Sequence, residues 1–232
     1  MLRRWALLTC GLTLFVVAGL GAGLMLWRDP TPRAAADGSA PHASDLDGSR
    51  TQSAPVGRLD QATGIATLGP ATLTLPGPPY EPYDDPVQVA GVLDAFFLAN
   101  AEVHPEYDGK HTWSATVGLA HLSPELTFEA SLDQVGSRAL VQLSRKIFGG
   151  HATSLRRVSS AEHSVDGHPG GLFTAEVHYA IPGLSSRYDN VSALVVRLDD
   201  GSLVIAASSV PNDADPELVR LASASLRSLS IS

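Results

Sequence analysis

An uncharged apolar run of 22 residues, Ala6 to Trp27 (ALLTCGLTLFVVAGLGAGLMLW), constrains this 232-residue chain more than anything else in it. At 1.5 Å per residue a helix of that length reaches about 30 Å, the thickness of a bilayer's hydrocarbon core. Arg3 and Arg4 precede the run, and positive charge on that flank holds the N-terminus in the cytoplasm and sends the rest across. Trp5 and Trp27 stand at its two ends, where indole rings favour the interface. The run predicts a lipid bilayer as partner through residues 6–27, as an uncleaved signal anchor behind a cytoplasmic stub, 1–5. A cleaved signal peptide would place its small-residue site soon after a shorter apolar region, whereas Ala34-Ala35-Ala36 lies well past Trp27. The single cysteine, Cys10, comes before most of the apolar stretch instead of after it, which argues against a lipidation site.

Residues 28–57 are rich in Ala, Ser, Pro, Asp and Gly and poor in large apolar side chains. Such a segment cannot bury enough surface to offset its ordering entropy, so a flexible spacer is expected. Residues 58–232 then form one extracytoplasmic domain. Beyond the anchor the chain carries 14 basic against 24 acidic side chains, a net charge of −10. That balance repels phosphate backbones, so no nucleic-acid partner is expected. With no cysteine beyond Cys10, the domain has neither disulfide nor thiolate metal site, and its core alone must hold it.

The domain alternates strand-like and helix-like stretches. Ile65 to Leu75 reads as a strand or a broken pair. Val87 to Val103 (VQVAGVLDAFFLANAEV) has the length of a helix but strand-like Phe96-Phe97 and flanking valines. We favour a long hairpin with Thr112 to Leu122, turning at Asp108-Gly109. Leu132 to Phe148 has helical periodicity, Ser131 as N-cap, Asp133 in the first turn, Arg145 and Lys146 in the last, and Gly149-Gly150 as a stop. Strands are expected at Thr153 to Val158, Ala161 to Val165, Leu172 to Tyr179, Ala193 to Leu198 and Leu203 to Ser208. Asp166-Gly167 and Asp199-Asp200-Gly201 supply the turns. Asp215-Pro216-Glu217 opens a closing helix with Leu218, Leu221, Ala222, Ser225 and Leu226 on one face. This order predicts an α+β fold, a curved antiparallel sheet with helices packed on it.

Five segments carry a family resemblance: LTLP at Leu73 to Pro76, LDQVGSRALVQLSRKIF at Leu132 to Phe148, VDGHPGGLFTAEVHY at Val165 to Tyr179, VVRLDDGSLVIAASSVPND at Val195 to Asp213, and LASASLRSLSI at Leu221 to Ile231. Together they resemble the Mog1/PsbP-like fold, and in particular the secreted and membrane-attached actinobacterial proteins built on it. The resemblance implies a non-enzymatic binding or scaffold module of the cell envelope, with an envelope protein or polymer as partner, no cofactor and no catalytic residues to carry over. A helical Val87 to Val103 would point instead to a VirB8/NTF2-like subunit of a secretion or conjugation apparatus.

Chemistry-bearing residues are sparse. His163, His168 and His178, or His104 and His111, match no metal-ligand spacing, and surface roles are expected. Ser208-Ser209 lacks the glycine-flanked context of a nucleophile, so an envelope hydrolase is the weakest reading. Asp84-Asp85, Asp199-Asp200 and the pair Asp213 and Asp215 form no calcium loop. Trp113, Phe128, Phe148, Phe173 and Tyr179 read as core. Tyr80, Tyr83 and Tyr188 sit in Pro-, Gly- or Ser-rich loops, the composition of a contact surface or, equally, of ordered loops that lay their tyrosines on the sheet.

Overall fold

The computed structural model describes residues 57–127, 130–148 and 151–232. The expected anchor 6–27, the spacer up to residue 56, and Phe128 lie outside the described residues. Among the described residues no helix is long and apolar enough to cross a membrane.

The chain opens with β1 (Gly57–Asp60), β2 (Ile65–Leu68) and β3 (Ala71–Thr74). Short strands β4 (Glu81–Pro82) and β5 (Val87–Val89) lead into the long β6 (Leu93–His104) and β7 (Trp113–Leu122). Helices α1 (Pro124–Thr127) and α2 (Leu132–Lys146) follow. Next come β8 (Thr153–Val165), β9 (His168–Tyr179), β10 (Tyr188–Arg197) and β11 (Leu203–Pro211), then α3 (Pro216–Leu226) and β12 (Ser230–Ile231).

The strands form two antiparallel sheets. The larger runs β4-β6-β7-β11-β10-β9-β8, with β5 also paired to β6; the smaller runs β1-β2-β3-β12. One face of the large sheet is covered by α2. The other is covered by the small sheet and α3. Neighbours along a strand therefore serve separate cores. Phe96 and Leu98 point to α2, whereas Phe97 and Ala99 point to the small sheet.

This double burial explains the ambiguity of Val87 to Val103. A strand covered on both faces loses the apolar–polar alternation that marks a half-buried one. The stretch is β5 and most of β6, and β6 folds back onto β7 as expected. Asp108 Oδ1 accepts from the backbone N–H of Lys110 (3.1 Å) and His111 (2.8 Å), closing the turn at Gly109. Extended backbone here removes the ground for a VirB8/NTF2-like subunit, which required a helix.

Local chemistry sets the remaining elements. Ser131 caps α2 in a reciprocal box: its hydroxyl accepts from Gln134 N (3.3 Å) and its own N–H donates to Gln134 Oε1 (3.0 Å). Asp215 caps α3 by accepting from Glu217 N at 2.8 Å. Asp166 and Gly167 both adopt positive φ, 50° and 86°, as a two-residue hairpin loop between Val165 and His168 requires. The two strands expected across Thr153 to Val165 are one, β8, bulged between Arg156 and Ser159 with Arg157 at φ 47°.

Candidate functional site

A cavity of about 110 Å³ lies between α2 and the large sheet. Leu140, Leu143 and Ile147 form its helical wall, and Phe148 follows them. Val87 and Val89 of β5 and Phe96 and Leu98 of β6 close one side, with Val177 and Val191 opposite. The space arises from the row of cross-strand partners Leu98, Gly118, Ala207 and Ala193, whose middle members carry little bulk. Gly118 cannot be larger, because a Cβ there would stand 2.3 Å from Phe97 O and 2.5 Å from the Phe96 ring.

One end of the cavity is polar. Asn100 of β6, Thr116 of β7 and Ser209 of β11 are successive cross-strand partners, and all three line the space. Asn100 Nδ2 donates to Tyr83 Oη at 3.3 Å, while its buried Oδ1 has no hydrogen-bond partner among the described residues. Ser209 Oγ donates to Asp189 Oδ2 at 2.7 Å. Asp189 is 2% exposed, and its Oδ1 also accepts from Tyr179 Oη (2.5 Å) and Trp113 Nε1 (3.3 Å). Burial pushes the Asp189 carboxyl above the usual carboxylate range, opposed in part by the three donors. Burial, reinforced by the Asp189 charge, likewise pushes the Tyr179 phenol up. Trp113, Phe148 and Tyr179 pack with ring centroids 5.1–5.6 Å apart around this end.

The three loop tyrosines do not form one surface. Tyr80 corrects the contact-surface reading and follows the other, a tyrosine laid on the sheet. It is 2% exposed, in the core against the small sheet, and donates to Leu218 O of α3 at 3.2 Å. Burial pushes its phenol up to about 12. A tyrosine in a proline-rich loop gains more by burying its ring over the sheet edge than by staying in water, provided its hydroxyl finds an acceptor. Tyr83 packs on the opposite core and meets Asn100. Tyr188 stacks on His178, with centroids 4.8 Å apart, and His178 in turn reaches Glu176 Oε2 at 2.9 Å.

The histidines are dispersed. His163 pairs across the hairpin with Gly170, His178 with Ser154, and His168 Nε2 lies 3.2 Å from Asp199 Oδ1. No cluster of metal-ligating side chains occurs among the described residues. His104 has other company. Its Nε2 is 2.7 Å from Ser186 Oγ and 3.0 Å from Asp213 Oδ1, and its Nδ1 is 3.5 Å from Ser185 Oγ. Both serine hydroxyls donate to Asp213, Ser186 through a short hydrogen bond and Ser185 at 2.9 Å. Burial would raise the Asp213 carboxyl, but the hydrogen bonds from Ser186, His104 and Ser185 outweigh it and leave it below its ordinary value. Since the serine protons go to the carboxylate, the imidazole activates neither hydroxyl, and Ser186 is 1% exposed. The group clasps the end of β6 to the loops before β10 and α3.

A solved structure similar to this one is cyanobacterial PsbP (CyanoP) from Synechocystis sp. PCC 6803. The likeness covers 81% of this chain and 98% of that chain, at 14% sequence identity and a TM-score of 0.44. No protein-family model matches the chain, and no curated protein matches it. With identity and structural agreement this low, the functional reading rests on the geometry of this chain alone.

Sequence reasoning gave the cavity residues Asn100 and Thr116 no role and weighed Ser209 only as a nucleophile. One signal was present. Asn100 interrupts the apolar stretch Phe96-Phe97-Leu98-Ala99, and a polar side chain inside a doubly buried strand needs a reason.

Proposed function

We propose that this chain is a membrane-anchored extracytoplasmic binding module, non-catalytic, whose cavity under α2 takes a small and largely apolar ligand. In this reading residues 6–27 hold the chain in the membrane, the N-terminus is cytoplasmic, and the spacer sets the domain off the bilayer within the cell envelope. The observation that carries the binding role is the cavity itself: apolar walls, room for a small molecule, and a short polar row at one end. Binding sites for small molecules commonly combine mostly apolar lining with a few placed polar groups. Apolar cavities of about 150 Å³ are known to stay dry and to admit benzene.

The test is methyl NMR on the full chain in lipid nanodiscs, titrated with cyclopentane. Saturable shifts confined to the methyls of Leu140, Leu143, Val177 and Val191 are expected. Shifts spread equally over both cores, or none, would contradict the reading.

An envelope hydrolase at the contact of Ser185, His104 and Asp213 is the second reading, although both serine protons point to the carboxylate. A serine-reactive fluorophosphonate labelling Ser185 in the wild type but not in His104→Ala would support it. On the binding reading, no labelling occurs.

A further inference from the structure

The face of the large sheet across from the cavity carries the small sheet and α3 chiefly over β6, β7 and β11. On β9 and β10 the core of that face reaches Leu172 and Leu194; past them, toward the end of β9 and the start of β10, the same face turns polar. Tyr188, His178 and Ser154 are cross-strand partners in one row, and Asn190, Glu176 and Arg156 in the next. Tyr188 and His178 stack, their rings 27° from parallel with centroids 4.8 Å apart. Both are half-buried, and Ser154 carries little bulk on the other side of His178. Glu176 Oε1 accepts from Arg157 Nη1, and its Oε2 lies against His178 Nε2, each at 2.9 Å. That carboxylate is balanced by Arg157 and holds the His178 ring in place. Arg156 and Asn190 flank Glu176 and are exposed, and their side chains make no hydrogen bond or ion pair among the described residues. Arg156 is therefore an unbalanced positive charge on a chain of net charge −8.

We infer that this face binds a sugar chain bearing an isolated carboxylate, with one sugar ring against the His178–Tyr188 pair and the carboxylate on Arg156. A pyranose offers a face of C–H groups that packs on aromatic rings, and a rim of hydroxyls that both donate and accept. Asn190 supplies amide donors and an acceptor for that rim. Arg156 supplies a planar fork of N–H donors that matches a carboxylate. Charge complementarity at Arg156 selects an acidic sugar over a neutral one. The acidity of the rest of the chain disfavours a densely charged polymer, so the carboxylate stands among neutral sugars. This surface lies across the sheet from the cavity, and it does not depend on the ligand proposed there.

Three probes, added to the full chain in nanodiscs at constant ionic strength, separate the possibilities. Cellobiouronic acid joins a uronate to a neutral sugar, cellobiose lacks the carboxylate, and gluconate has a carboxylate and hydroxyls but no ring. NMR shifts of the Tyr188 and His178 rings and of the Arg156 and Asn190 amides report binding. The expected result is saturable shifts with cellobiouronic acid, bound about tenfold more tightly than cellobiose, the value of one charge-assisted hydrogen bond. Gluconate is expected to bind weakest. In Arg156→Gln the two disaccharides are expected to bind alike, and in Tyr188→Ala neither binds. Equal affinities of cellobiouronic acid and cellobiose for the wild type would overturn the role of the carboxylate. Gluconate binding as tightly as cellobiouronic acid would overturn the role of the rings, and shifts from no probe would overturn the site. Shifts in the same rows that follow protein concentration without sugar would make a second copy of the chain the occupant and overturn it too. If a variant loses its folded spectrum, the wild-type ranking of the probes alone upholds or overturns the inference.

Discussion

Asp189 shows how one residue couples the polar end of the cavity to the stability of the fold. It is an acid buried with donors from Tyr179, Trp113 and Ser209, and burial sets its pKa above the unfolded value. A raised folded pKa means the folded state binds the proton more tightly. The contribution is fully present below the unfolded value near about 3.9 and is lost as pH rises through the folded value. Asp189→Asn removes that titration and can keep an acceptor for Tyr179. Urea denaturation at about pH 4 and about pH 7 is expected to show the variant gaining on the wild type at the higher pH; a gap that moves the other way would contradict a raised pKa. Asp189 and its partners were not legible in the sequence, because Trp113, Tyr179 and Ser209 meet it only through the register of β7, β9, β10 and β11.

At the scale of elements, α2 forms the cavity's roof and its seat is tightly specified. Gly136 lets the helix rest on Phe173, where a Cβ would stand 2.2 Å from the ring. Gly136→Ala gains about 1 kcal/mol of helix propensity but forces the ring or helix to move, which costs about 1–3 kcal/mol. A net loss of stability in chemical denaturation is expected. Ser131→Ala removes half of the capping box and is expected to cost about 1 kcal/mol in the same assay. These helices and the hairpins at Asp108-Gly109 and Asp166-Gly167 were readable because capping and turn chemistry are local. Strand β6 was readable only as the favoured of two alternatives, because burial on both faces erases its alternation. Tyr80 could not be assigned to surface or core because its acceptor, Leu218 O, lies in α3, far along the chain.

For the whole molecule, three layers of structure enclose two cores, and the unfilled volume lies in one of them. The proposed anchor adds a vectorial element. An alkaline phosphatase fused at the C-terminus is expected to be active outside the cytoplasm, while a fusion active only inside would reverse the proposed orientation. The fold places Ala207 in the middle of the low-bulk row that leaves the cavity open, so Ala207→Leu fills that space with a larger, branched side chain. The binding reading is tested most directly by the thermal unfolding of the full chain with and without saturating cyclopentane, in the wild type and in Ala207→Leu. A ligand that binds only the native state raises Tm. The account predicts a rise in the wild type that is absent in Ala207→Leu; an equal rise in both, or none in the wild type, would contradict it.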